Sequence, residues 1–291
     1  MGVLLEIHLA EKAGWRTRLF GIKHGRFTPH MAQDNTHLLF AAATEAKHPG
    51  QAPNQDAVWA ISGKTGSGIA YGLFIVADGV GGLKDGSRAS QTIIDTLTAH
   101  FSKIWPVITA VSDKTITRLR QQLKNAIFLA NENIQAMTHT KDDRMASTIT
   151  CAIVLDQVVI VANAGDSRTY LFRQNHLEQI TQDHSLVAWL VRQEQITAEQ
   201  ALTHPYRNVL THALGATDKP QLDLFTQRLF PGDWLLLCSD GIWGTLADEM
   251  LAGFLQTAVS PQQLAPVLMQ AAQDHTDDLS LILVQIPLAA S

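Results

Sequence analysis

The chain has 291 residues, 46% hydrophobic and 17% charged, with a formal net charge of -5. That composition is ordinary for a soluble globular protein, and the acidic balance argues against nucleic-acid binding, which draws on a basic excess. No apolar run approaches the roughly 18 residues of a membrane span, and "MGVLLEIHLAEKAGWRTRLF" carries acids where a signal peptide is apolar.

Residues 1–35 show no clean period and read as an extension or an edge hairpin, leaving 36–291 as one domain. Strand signals then come in close order at 37–44, 56–62 and 71–78. Two helices follow. Ala89, Ile93, Leu97 and Phe101 mark one face of 86–102. Ile116, Leu119, Leu123, Ile127, Ala130 and Ile134 mark one face of 113–137, with Asp113 as its N-cap. Strands return at 147–155, 157–165, 168–173 and 176–180, with gaps too short for crossover helices, so they are expected to pair antiparallel. The segment 184–216 holds a helix at 184–193 and a polar connection. Strands at 222–229 and 233–240 precede a helix with Ser260 as N-cap and Pro261 at its first position, and the last strand is 279–286. Antiparallel strands with helices in two blocks predict an α+β fold, helices packed on sheets. Cys151 and Cys238 fall inside apolar strands without Cys-x-x-Cys spacing, which suits a reducing cytoplasm.

Acids stand where strands end. "LFIVADGVGG" runs from four apolar residues, Leu73 to Val76, straight into Asp78 and Gly79. Asp240 ends "WLLLCSDG" in the same manner, Asp277 and Asp278 precede "LSLILV", and Asp56 opens a strand in "NQDAVW". Taken singly, an Asp-Gly after a strand is usually a turn, and "NAGDSR" reads equally well as a hairpin. Several carboxylates at the ends of buried strands repel one another unless a cation sits among them. Oxygen-only donors suit a hard cation such as Mg2+ or Mn2+.

The order of these stretches resembles a known family, the metal-dependent serine/threonine protein phosphatases of the PP2C (PPM) type. The resemblance runs from about Phe40 to Ile286 and rests on eight stretches. They are "NQDA", "VADGVGGLKDGSRAS", "ASTIT", "ANAGDSRTYL", "TQDHSLV", "HPYRNVLTHALG", "LLLCSDGIWGTL" and "DDLSLILV". It implies a β-sandwich of two antiparallel sheets flanked by helix pairs, in α-β-β-α layers, with two Mn2+ or Mg2+ ions at one end. Carried over residue by residue, Asp78 resembles the carboxylate that bridges both ions, and the Gly79 carbonyl a ligand of the second. Asp240 and Asp277 resemble ligands of the first, and Asp56 the acid that holds metal-bound water. Bacterial members often bind a third ion through the acid at the position of Asp143; two solvated acids, Asp142 and Asp143, are the equal alternative. The implied chemistry is hydrolysis of phosphoserine and phosphothreonine by a metal-bridging hydroxide, without a phosphoenzyme.

Departures from the family pattern concern the phosphate. Gln51 stands where relatives carry an arginine that grips it, leaving Lys47 or His48 to supply the positive charge. Val80 stands where animal relatives have a histidine that protonates the leaving oxygen; His184 is a substitute, though it reads as structural. The alternative function is a pseudophosphatase or regulatory phosphoprotein-binding module of the same fold. Against it, Asp56, Asp78, Asp240 and Asp277 are all retained. The resemblance implies phosphorylated proteins as partners, a Ser/Thr kinase or its substrates among them, met at the flap 184–216. A cytoplasmic monomer is expected, without nucleic acid or membrane.

Overall fold

The computed structural model describes residues 18–20, 38–47, 53–81, 85–138, 140, 144–273 and 277–288. One sheet has the order β1 (Arg18–Phe20), β3 (Ala57–Lys64), β4 (Ala70–Ala77), β5 (Ile149–Leu155), β6 (Val158–Ala164), β9 (Asp223–Arg228). The other has the order β2 (Leu39–Glu45), β11 (Leu279–Gln285), β10 (Trp234–Cys238), β7 (Arg168–Arg173), β8 (His176–Gln179). All neighbours in both sheets are antiparallel.

Side-chain alternation on the central strands shows why their sequences are apolar without a period of two. On β4, Phe74 and Val76 point into the layer between the sheets, where they meet Leu235, Leu237, Ile282 and Val284. Tyr71, Leu73 and Ile75 point the other way, onto α1 (Gly86–Phe101) and α2 (Asp113–Ala136). On β10, Trp234, Leu236 and Cys238 likewise face α6 (Asp248–Gln256) and α7 (Pro261–Ala271). A strand covered on both faces has no polar side to show, so "LFIV" and "WLLLC" are continuous. The result is the expected four-layer sandwich. Each large side chain so buried contributes about 1.5–3 kcal/mol.

The helices begin where capping chemistry places them, with one correction. The N-cap of α2 is Ser112, whose hydroxyl accepts from the Thr115 N–H, and Asp113 lies in the first turn. There its charge still favours the helix through the dipole. Ser260 caps α7 and Pro261 opens it, as expected. Three short helices escaped the periodicity: α4 (Ala198–Leu202), with a capping box from Thr197 and Gln200, α5 (Asp240–Trp243), and α6. The expected helix at 184–193 is α3 (Leu186–Arg192), capped by Ser185.

The strands at 157–165 and 168–173, expected to pair with each other, do not, and "NAGDSR" between them is no hairpin. β6 belongs to one sheet and β7 to the other, so residues 165–167 cross between sheets. Gly165 makes the crossing with φ of +113°, and a Cβ there would lie 2.5 Å from that of Thr148. Only glycine fits.

Candidate metal centre

Antiparallel register gathers the acids at one end of each sheet, and the Gln55 N–H donated to Asp278 brings those two ends together. Ala57 pairs with Ala77, so Asp56 and Asp78, one residue beyond the pair, leave β3 and β4 side by side. In the facing sheet Cys238 pairs with Leu281, which brings Asp240, just past β10, to Asp277 and Asp278 at the start of β11.

The backbone around these acids is tightly held. Asp78 gives its N–H to the Thr148 hydroxyl (3.2 Å) and receives the Thr148 N–H on its carbonyl (2.8 Å). Gly79 donates to the Gln55 carbonyl (3.2 Å), which also accepts the Ser90 hydroxyl (2.6 Å). A Cβ on Gly79 would stand 2.5 Å from the Gly86 carbonyl carbon. One on Gly241 would stand 2.2 Å from the Asp278 carbonyl oxygen. Both Asp-Gly pairs therefore owe their glycine to backbone pressed against backbone. Asp278 is a staple: its two oxygens each accept one N–H at 2.7 Å, from Lys47 and from Gln55, closing both ends of the β2–β3 connection.

Electrostatics mark the cluster as incomplete. Burial first, then the charges of Asp56, Asp240, Asp166 and Asp277, hold the Asp78 carboxyl well above the usual range. Asp56 is pushed up to about 7, by burial against the pull of the Ser280 and Ser239 hydroxyls, with Asp278 and Asp240 adding repulsion. Asp240 is pushed up to about 6, by burial and then by Asp277, while a hydrogen bond with Asp78 opposes the rise. Two buried carboxylate oxygens, Asp56 Oδ2 and Asp240 Oδ1, have no hydrogen-bond partner among the described residues. Orphaned oxygens among like charges are what a hard cation satisfies. Among the described residues no three such side chains stand close enough to form a closed metal cage by themselves. Mg2+-type ions do not require one, because they keep several waters and take one or two carboxylates each.

Asp166 joins this cluster unannounced. It is buried, and its carboxyl is held well above the usual range by burial, then by Asp240 and Asp183. Its signal in the sequence is an acid beside glycine after the apolar run "VVIVANAG", with the order of the pair reversed. Trp243 donates its indole N–H to the Asp166 carbonyl (2.9 Å), and the Arg168 guanidinium lies 3.5 Å over the Trp243 ring. Arg168 is committed elsewhere, by an ion pair with Asp183 at 2.7 Å. His184 is only 3% exposed, so it is no surface acid. Lys47 has its backbone fixed beside the acids and its side chain exposed. Asp142, Asp143, His48 and Gln51 lie outside the described residues.

Residues 46–281 match the family described as Protein phosphatase 2C. The chain belongs to the protein phosphatase 2C family. Serine/threonine phosphatase stp of Listeria welshimeri is 33% identical over 217 residues, 73% of this chain and 84% of that protein. The solved serine/threonine phosphatase of S. agalactiae superposes with a TM-score of 0.74 at 27% identity, covering 86% of this chain and 100% of that one. The catalytic domain of the serine/threonine protein phosphatase PstP, solved with 2 manganese ions, gives a TM-score of 0.69 at 28% identity over 86% of this chain and 98% of its own. The protein phosphatase 2C sandwich expected from the motifs is thus the fold observed. As a member of this family the chain is a phosphatase, and hence a hydrolase.

Proposed function

We propose that this phosphatase hydrolyses phosphoserine and phosphothreonine in proteins, using two Mn2+ or Mg2+ ions held at the acid cluster. The observation that carries the reading is the set of buried, mutually repelling carboxylates in which Asp56 Oδ2 and Asp240 Oδ1 lack partners among the described residues. Asp78, Asp240 and Asp277 would supply carboxylates and Gly79 its carbonyl, as the family resemblance implies. Asp143 would serve a third ion. When bound, the ions neutralise charge on the phosphoryl oxygens and make hydroxide available near neutral pH. Asp56, with its free oxygen beside the cluster, would orient the attacking water. Water adds its oxygen to phosphorus, the ester oxygen leaves with a proton, and the products are inorganic phosphate and a serine or threonine hydroxyl.

Phosphate capture falls to Lys47, His48 and Gln51 in the absence of an arginine, and Lys47 is the one whose backbone is anchored next to the acids. The substrates would be phosphorylated proteins, a Ser/Thr kinase or its targets, met by a monomer in the cytoplasm. Among the described residues no helix is long and apolar enough to cross a membrane. Phosphate release from phosphoserine, phosphothreonine and phosphotyrosine peptides, each with Mn2+ and with chelator, tests the proposal. Release from the first two alone, and only with metal, is expected; metal-independent release or none would refute it.

A further inference from the structure

The flap returns to the sandwich through residues 204–215 and is tied down at several places, among them the Gly215 N–H donated to Asn131 Oδ1 at 2.7 Å. Ser147 is another: it bridges Leu214 on one side and Gly79 on the other. His184, at the flap's root, is a third. Its ring is buried, and each nitrogen has its own partner. Gly165 donates its N–H to Nδ1 (3.3 Å), and Nε2 meets Asp223 Oδ2 at 3.1 Å. A nitrogen that accepts carries no proton, so in the neutral ring the proton sits on Nε2 and is donated to Asp223.

The backbone of His184 doubles the connection to Gly165 and adds one to the returning flap. Its N–H donates to the Gly165 carbonyl (2.9 Å), and its own carbonyl accepts the Thr211 N–H (2.8 Å). The next residue, His212, packs edge-on against the ring with centroids 5.4 Å apart. His184 thus satisfies both polar groups of Gly165, the residue that turns the chain between sheets and sets the position of Asp166. Gly165 in turn presses on Thr148, which holds both backbone groups of Asp78.

We propose that His184 is a positioning residue that locks the flap root to the Gly165–Asp166 crossing and, through Thr148, to Asp78. This inference rests on the phosphatase reading of the cluster, because its consequence is read in turnover. The Nδ1 bond fixes the acid-bearing loop, and the Nε2 bond to Asp223, which pairs with Asn163 at the start of β9, ties the flap root to the sheet.

Two amide variants separate the bonds. His184→Asn places its Oδ1 where Nδ1 stood and keeps the acceptor for Gly165, but does not reach Asp223. His184→Gln reaches Asp223 but leaves Gly165 without its acceptor. On p-nitrophenyl phosphate at saturating Mn2+, His184→Asn should keep kcat within about 3-fold, whereas His184→Gln and His184→Ala should lose about 10-fold or more. In 15N-labelled, metal-free protein the His184 ring should show the Nε2–H tautomer. The Gly165 amide should exchange slowly in wild type and His184→Asn, and fast in His184→Gln. Equal losses in Asn and Gln, wild-type kcat in both, or an Nδ1–H tautomer would overturn the proposal. If His184→Ala does not fold, the two amide variants still decide. Should the wild type release no phosphate at all, the phosphatase reading fails, while tautomer and exchange still judge His184 on its own.

Discussion

Removing divalent cations should make this protein less stable as pH rises, over the range where most proteins hold steady. Asp56 and Asp240 are pushed up to about 7 and about 6 from an ordinary value of 3.8. A carboxyl raised on folding binds its proton more tightly in the folded state. Its favourable contribution is complete below the unfolded value and is lost as pH climbs through the folded one. One unit corresponds to about 1.4 kcal/mol, so Asp56 alone accounts for roughly 4 kcal/mol between about pH 4 and pH 7. Asp240 belongs to the same cluster and cannot be added in full, since one proton relieves both. Against a typical stability of about 5–15 kcal/mol the effect is large, and it corresponds to a Tm drop of roughly 8–16 °C. Thermal melts in chelator from about pH 4 to pH 8 measure it, and added Mn2+ should restore Tm most at the high end, where the carboxylates are charged. The Asp240→Asn variant removes one repelling charge and should melt higher than wild type in chelator at about pH 7.5. A metal-free Tm that stays flat or rises across that range, with no gain from Asp240→Asn, would refute the reasoning.

Gly79→Ala forces a Cβ to within 2.5 Å of the Gly86 carbonyl carbon; displacement of the α1 start should lower Tm and weaken Mn2+ binding in calorimetry. Asp278→Asn keeps one acceptor for two N–H groups and turns an amide NH2 toward the other, which should cost about 1–3 kcal/mol in denaturant unfolding and raise KM for a phosphopeptide. Lys47→Ala should raise that KM several-fold with kcat little changed, and Gln51→Arg should lower it; steady-state kinetics on one phosphothreonine peptide reads both.

Much of the acid cluster was legible because four acids share one local grammar. An apolar strand running into Asp78, another into Asp240 and a third starting after Asp277 and Asp278 placed carboxylates at strand ends, and the family resemblance implied that those ends meet. Asp166 was hidden because its glycine precedes it, which makes "NAGDSR" look like a turn, and because nothing local says that β6 and β7 lie in different sheets. Periodicity reports how buried a strand is, not which neighbour it takes. The short helices α4, α5 and α6 span 5, 4 and 9 residues, too few turns for an apolar stripe to show. Ser112 and Asp113 are both capping residues, and only the hydroxyl bond to the Thr115 N–H decides between them. The staple made by Asp278 joins residues more than 200 apart in sequence, a distance no local pattern spans.

The acid cluster is proposed to hold the metal on which this phosphatase depends. Phosphate release from p-nitrophenyl phosphate, titrated with Mn2+ for wild type and for Asp240→Asn, tests that most directly. Wild type should rise from near zero to a plateau, and the folded Asp240→Asn variant should release nothing at any Mn2+ concentration. Wild-type turnover in Asp240→Asn would make Asp240 a turn residue and contradict the site.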